Sequence, residues 1–342
     1  MHCIYTPASA LHNPPFELIE GQVVTPHESQ QRADIIHAAI RQAQIGPISE
    51  AADHGRAPIE AIHSPDYLDY LEHIYVRWVA AGGHPAAALA DTLAVRWMRR
   101  PSLSPLALPG YYAYDLSSAI VAGTYQAAYG AAQAALTAAS LLRAGERAAY
   151  ALCRPPGHHA GRDLHGGYCY LNNAAIAAQF LRQAGQPVAV LDIDFHHGNG
   201  TQQIFYGRGD LLTVSIHGSP DRVYPYFLGF ADELGEGEGE GANLNIPLEK
   251  GTTNGQFLAA LEQALERVAQ FGAAYLVIST GLDTFGSDPL GDFALTSDAY
   301  AQIGARIAQA GLPTLFVQEG GYAVAELGTN VVGLLAGFEG TR

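Results

Sequence analysis

The sequence predicts an α/β fold in which a central parallel sheet is flanked by helices, and three observations predict it. Short apolar runs recur along the 342 residues, at Ala148–Cys153, Val188–Asp194, Leu211–His217, Ala274–Thr280 and Pro313–Gln318, none with clean apolar/polar alternation. Strands buried on both faces read this way, because helices cover both sides of a parallel sheet. Helical patterns fill intervals between the runs, at about Asn172–Ala184, Asn254–Phe271 and Ser297–Ala310. Each run also gives way to a glycine-rich or polar turn, and such alternation of β and α elements builds a doubly wound sheet.

Residues 1–342 read as a single catalytic domain, with one surface excursion at about 80–114. That excursion, Ala80–Tyr114, holds several Gly and Pro, a basic patch (Arg96, Arg99, Arg100) and the proline-spaced stretch PSLSPLALPGYY. Long irregular segments in compact domains are usually functional or interfacial. Ser117–Leu142 is Ala-rich but interspersed with Tyr, Gln, Ser and Thr, which suits a buried soluble helix rather than a membrane span. The run GEGEGEG at Gly235–Gly241 follows no clear strand, and its acidic residues would repel phosphate, so it reads as a flexible loop.

Composition narrows the function. Hydrophobic residues make up 48 % and charged ones 15 %, enough apolar material for a large core. The net charge of −15 disfavours a nucleic-acid partner, since phosphate binding needs a basic face, and favours cationic ligands. The three cysteines, Cys3, Cys153 and Cys169, have neither zinc-finger nor CxxC spacing and suggest a reducing compartment. No basic segment followed by an apolar run opens the chain. A cytoplasmic protein with no membrane association is expected.

Three polar clusters carry the chemistry, and each follows an apolar run. The densest is LDIDFHHGNGT, Leu191–Thr201. In an extended segment alternate residues share a face, so Asp192, Asp194 and His196 should project together at a strand's C-terminal end, where α/β sheets bind ligands. Two carboxylates and an imidazole suit a divalent metal. A catalytic zinc takes three protein ligands and keeps a fourth position open, so a third ligand must come from another strand. The segment AYLVISTGLDTFGSDP offers Asp283 and, farther into its loop, Asp288. RPPGHHAG, Arg154–Gly161, sets His158 and His159 in a loop stiffened by proline, and paired histidines suit proton transfer near neutral pH. QEGGY, Gln318–Tyr322, presents a tyrosine whose hydroxyl could polarise a carbonyl.

Together, RPPGHH, GGYCYLNN, LDIDFHHGNGT, GLDTF and EGGY, in this order, resemble the histone deacetylase superfamily from about Ala148 to Val331. The N-terminal NPPFELIEGQVVTPHESQQRADII and the excursion before Gly110–Tyr112 resemble its bacterial acetylpolyamine amidohydrolase branch. The resemblance implies an arginase/deacetylase-like fold. It implies Asp194, His196 and Asp283 as ligands of zinc, with iron also compatible. It implies His158 and His159 as the catalytic pair, with Asp192 as partner of His158 and Asn199 as partner of His159. Many members have Asp at the last position, and an amide there would leave His159 less basic. Tyr322 would polarise the carbonyl, Tyr168 and Tyr224 would wall a narrow channel, and Gly167 would line it. A potassium ion would lie among Asp192, Asp194, His196, Ser215 and Ile216. Glu17 matches an acidic residue that attracts cationic substrate, and the branch forms homodimers in which the excursion narrows the partner's entrance. Where the branch carries further acidic residues before GYY, this chain has LALPGYY.

The expected activity is metal-dependent removal of acetyl or other short acyl groups from amines, foremost acetylated polyamines or similar small acyl-amines. Lysine deacetylation of peptides or proteins is the alternative. A two-manganese ureohydrolase would need more carboxylates, and Phe285 stands where a second Asp after Asp283 would be. A non-catalytic binder would not need His158, His159 and Tyr322 together, and a dinucleotide oxidoreductase would need a strand–GxGxxG–helix unit that is not found.

Overall fold

The structure, a computed structural model, describes residues 1–98 and 100–340; Arg99 of the basic patch lies outside the described residues. In chain order the strands are β1 (His2–Tyr5), β2 (Glu17–Ile19), β3 (Gln22–Val24), β4 (Ile48–Glu50), β5 (Ala148–Ala151), β6 (Val188–Asp192), β7 (Leu211–Gly218), β8 (Asn243–Leu248), β9 (Tyr275–Thr280) and β10 (Thr314–Gln318). Eight form one sheet in the order β4-β1-β5-β10-β9-β6-β7-β8, with every neighbouring pair parallel. β2 and β3 form a separate antiparallel hairpin.

The five apolar runs became β5, β6, β7, β9 and β10, and the three helical patterns became helices Asn173–Arg182, Asn254–Phe271 and Ser297–Gln309. Alternate strand residues feed opposite layers, as a pleated strand dictates. Ala149, Ala151, Val190, Val277 and Val317 join one apolar core with the Ala-rich helix Thr124–Arg143. Tyr150, Leu191, Ile278 and Phe316 join the other. No helix of the described residues is long and apolar enough to cross a membrane.

Three sheet strands were not predicted. β1 and β4 are only four and three residues long. β8 carries Asn243 and Asn245 at alternate positions, which breaks the apolar signal; both donate to Gln202 Oε1, at 3.0 and 2.9 Å, inside the fold. The excursion is irregular after helix Pro65–Ala80, apart from the short helix Pro109–Tyr112, and a bridge from Ala88 to Ile120 ties its start down. Gly235–Gly241 is a loop containing one short 3-10 turn.

Candidate active site

β5, β10, β9 and β6 lie side by side in the centre of the sheet, and the loops leaving their C-terminal ends carry the three polar clusters and Asp283. Parallel strands point all these ends the same way, so residues far apart in sequence converge at one edge.

The segment after β6 is not extended as predicted. The strand ends at Asp192, and the chain then curls through two successive turns. The Asp194 N–H donates to Asp192 Oδ1 at 3.0 Å, and the His196 N–H donates to Asp194 Oδ1 at 2.9 Å. Aspartate side chains commonly make such turns with the backbone two residues on. Asp192 consequently faces His158, while Asp194 and His196 meet Asp283. His196 Nδ1 is 3.3 Å from Asp194 Oδ1 and 3.0 Å from Asp283 Oδ2, and both carboxylates are fully buried. His197 turns away, its Nε2 3.0 Å from Gln202 Oε1.

These three residues fit a divalent cation. Their ligand atoms lie within 4.8 Å of one another. The outer hydrogen bonds are also filled: Asp194 Oδ2 accepts from the Gly320 N–H at 2.9 Å and Asp283 Oδ1 from the Phe195 N–H at 2.8 Å. Burial, and then Asp194, push Asp283 up to about 7. Burial opposes a charged His196, yet the two carboxylates outweigh it and raise the ring to about 10. Protons on His196 and Asp283 are how protein groups alone relieve the crowded negative charge, and a metal ion relieves it more fully. Two oxygens and one nitrogen suit zinc or iron. Gly281 makes this approach possible: a Cβ there would come 2.0 Å from Asp194 Oδ2. Asp288, the other candidate from this loop, instead accepts the Tyr322 and Ala323 N–H groups at 2.6 and 2.9 Å.

The two histidine rings are tilted by 41° with their centres 4.0 Å apart, but their partners differ. His158 Nδ1 is 2.8 Å from Asp192 Oδ2, and His159 Nδ1 is 2.7 Å from Asn199 Oδ1. Burial opposes charge on His158, but Asp192 and Asp194 outweigh it and hold the ring well above the usual range. Burial, reinforced by His158 and His196, holds His159 well below it. An amide partner adds no charge to counter that, so His159 is neutral and its Nε2 is left to act as a base. Titratable neighbours with pKa values driven apart are the mark of divided acid and base roles.

A cavity of about 620 Å³ opens over this group. His159, His196, Gly167, Tyr168, Tyr224 and Tyr322 all line it. The Tyr224 ring stands edge-on to His159 at 5.0 Å, and the Tyr168 ring is 5.8 Å from that of Tyr322. Gly167 has φ +54°, and a Cβ there would come 2.2 Å from His159 Cδ2. Glu17 is buried beneath the rim, its Oε1 2.5 Å from Nδ1 of His27, which itself lines the cavity. Ser215 lies beside Asp192 in the sheet register, with Ile216 next along β7.

Sequence reasoning missed Asp115, His27 and Arg32. Half-buried Asp115 accepts from the Gly167 N–H at 2.7 Å and the Tyr224 O–H at 2.8 Å, so it orients two channel residues at once. Arg32 donates to the carbonyls of Gly321 and Glu319 at 2.6 and 2.7 Å, and its guanidinium lies 4.7 Å from the centre of the Tyr322 ring. Single polar residues in unpatterned segments give no local signal of such roles.

Over residues 26–338 the chain matches the Histone deacetylase domain. It is 48 % identical to acetylpolyamine amidohydrolase 1 of Pseudomonas aeruginosa, over 99 % of both chains. It is 44 % identical to the acetylpolyamine amidohydrolase of Mycoplana ramosa, over 99 % of this chain and 100 % of that one. The crystal structure of acetylpolyamine aminohydrolase from Burkholderia pseudomallei superposes with a TM-score of 0.95 at 42 % identity, covering 100 % of this chain and 99 % of that one. With a metal-competent carboxylate–histidine set, a divided histidine pair and a tyrosine-walled cavity on one sheet edge, this chain belongs to the histone deacetylase domain family.

Proposed function

We propose that the chain is a metal-dependent amidohydrolase that removes acetyl or another short acyl group from small amines, acetylated polyamines foremost. One observation carries this reading: His159, His196 and Tyr322 line a single tyrosine-walled cavity, with His158 packed against His159 and with Asp194 and Asp283 against His196. The names of the relatives above, all acetylpolyamine amidohydrolases or aminohydrolases, support the substrate class.

A divalent ion held by Asp194, His196 and Asp283, zinc in our reading with iron compatible, would supply Lewis acidity and a water acidified toward neutrality. His159, kept neutral, takes the proton from the attacking water and returns it to the leaving amine. Asp192 orients His158, which lies against His159 and assists it in the transfer. Tyr322 donates its O–H to the carbonyl oxygen as negative charge gathers there. Tyr168 and Tyr224 restrict the cavity to a slender chain, Gly167 leaves that channel room beside His159, and the buried Glu17 carboxylate favours a substrate with a distant positive charge.

A potassium ion among Asp192, Asp194, His196, Ser215 and Ile216 is part of this reading, supported by the pairing of Asp192 with Ser215. So are one catalytic domain over residues 1–342, a cytoplasmic location and a homodimer. Val95, Trp97, Met98 and Leu103 of the excursion are all exposed, and apolar surface of this kind marks an interaction site.

The test is a panel of acetylated diamines, neutral acetyl amides and acetyllysine peptides assayed with the metal-loaded protein. Turnover of the small amines should lead. Comparable rates on folded acetylated proteins would overturn the substrate assignment.

A further inference from the structure

We propose that Glu319 is a positioning residue for this reaction: its buried carboxylate fixes the loop of His158 and His159 against the loop of Tyr322. The proposal rests on the amidohydrolase reading above.

Glu319 follows β10 directly and is fully buried. Its Oε2 accepts two backbone donors of the neighbouring loop, the Gly157 N–H at 2.6 Å and the His158 N–H at 3.1 Å. Its own backbone is bound on all sides. The Glu319 N–H donates to the Thr280 carbonyl at 3.0 Å, and its carbonyl accepts from Arg32 Nη2 at 2.7 Å. The next N–H, of Gly320, donates to Asp194 Oδ2. Two consecutive residues, Glu319 and Gly320, therefore join Thr280 at the end of β9, the histidine loop after β5 and the carboxylate after β6, two positions ahead of Tyr322.

Among the described residues no other side chain supplies an acceptor to both the Gly157 and His158 amides. Removing the carboxylate would leave two interior donors unsatisfied, and the loop would move to satisfy them. His158 and His159 move with it, and a shift near 1 Å in a proton-transfer group is costly to rate.

The role is acceptance rather than charge. Among the described residues Glu319 Oε1 has no hydrogen-bond partner and the carboxylate forms no ion pair, although the charged His158 ring acts on it electrostatically. Burial pushes the group up to about 7, toward the neutral form. An amide oxygen at the same reach would serve the two N–H groups equally.

Three variants test this on the metal-loaded enzyme with an acetylated diamine. Glu319→Gln should keep kcat within about threefold, while Glu319→Asp and Glu319→Ala should lower it by about 10- to 100-fold, with KM nearly unchanged. Metal content should equal that of the native chain in all three. A Gln variant as impaired as the Ala variant would show that charge is needed and overturn the proposal. So would an Ala variant with native kcat. So would loss of metal on removing Glu319, since His158, Cys169 and Glu319 also lie within ligand distance of one another. If Glu319→Ala does not fold, the Gln and Asp pair decides alone. A native enzyme inactive on every acyl amine would instead remove the amidohydrolase reading itself.

Discussion

His158 and His159 are adjacent in sequence and identical in type, yet their surroundings drive them in opposite directions. The carboxylate of Asp192 favours charge on one, while burial and the neighbouring rings of His158 and His196 disfavour it on the other, where Asn199 offers only an uncharged acceptor. If His159 is the base and Tyr322 the oxyanion donor, His159→Ala and Tyr322→Phe should each lower kcat by at least about 10²-fold with metal content intact, near 2.7 kcal/mol in the barrier. Near-native turnover in either would remove its role. Asp283→Ala should behave differently, losing both activity and metal, and full metal occupancy in that variant would exclude it as a ligand. Glu17 lies under the rim against His27, close enough for its field to escape screening over roughly 10 Å of electrolyte. Glu17→Gln should therefore raise KM for acetylated diamines more than for a neutral acetyl amide, and equal changes would mean that Glu17 serves packing alone.

At the scale of elements, the loops matter more than the strands that hold them. The segment after β6 reaches the site through aspartate turns, which direct Asp192 to one partner and Asp194 to another. The glycine that begins the loop after β9 is a structural requirement of the same site. Gly281→Ala would drive a methyl group into Asp194, and we expect metal affinity to fall by about 10- to 100-fold with secondary structure preserved, as for other changes around metal ligands. Equilibrium dialysis with zinc, alongside far-ultraviolet circular dichroism, reads both quantities. An unchanged affinity would mean that Asp194 can retreat without cost. The motifs made the candidate site legible because each is a run of unusual residues. Asp115, His27 and Arg32 were not legible, because each acts as a lone residue whose partners lie more than 50 residues away or in another loop.

For the whole molecule, burial of histidine has a consequence for pH. Burial pushes His12, His63 and His217 down to about 4, and His165 down to about 3. His63 Nε2 accepts the Asn172 N–H at 2.9 Å, a bond that only the unprotonated nitrogen can make. Above about pH 6.5 these rings are neutral in both the folded and unfolded chain. Below it the unfolded chain takes up protons that the folded chain refuses, so stability declines as pH falls from about 6.5 to 4. The thermal midpoint should drop across that window, and His63→Gln should flatten the decline by retaining an acceptor that does not titrate. A midpoint that rises on acidification to pH 5 would contradict the assignment. The proposed homodimer makes a separate prediction: deleting Pro101–Pro109 should weaken dimerisation and admit acetyllysine peptides, as sedimentation and peptide kinetics would read out.

The sequence by itself determined the layered α/β architecture, because strands buried on both faces cannot alternate and helices between them must cross over the sheet. It also determined which residues are chemically capable, since clustered Asp, His and Tyr at strand ends are written in consecutive letters. Only the tertiary structure decided how they divide the work. Asp283 comes to Asp194 and His196 while Asp288 holds the Tyr322 backbone, a choice made by the adjacency of β9 and β6 and by the turn that follows each. The separation of His158 from His159, the pairing of Glu17 with His27 and the span of Glu319 between two loops all depend on contacts across the sheet edge. Local pattern records what a side chain can do; long-range packing sets its neighbours, and with them its charge, its orientation and its role.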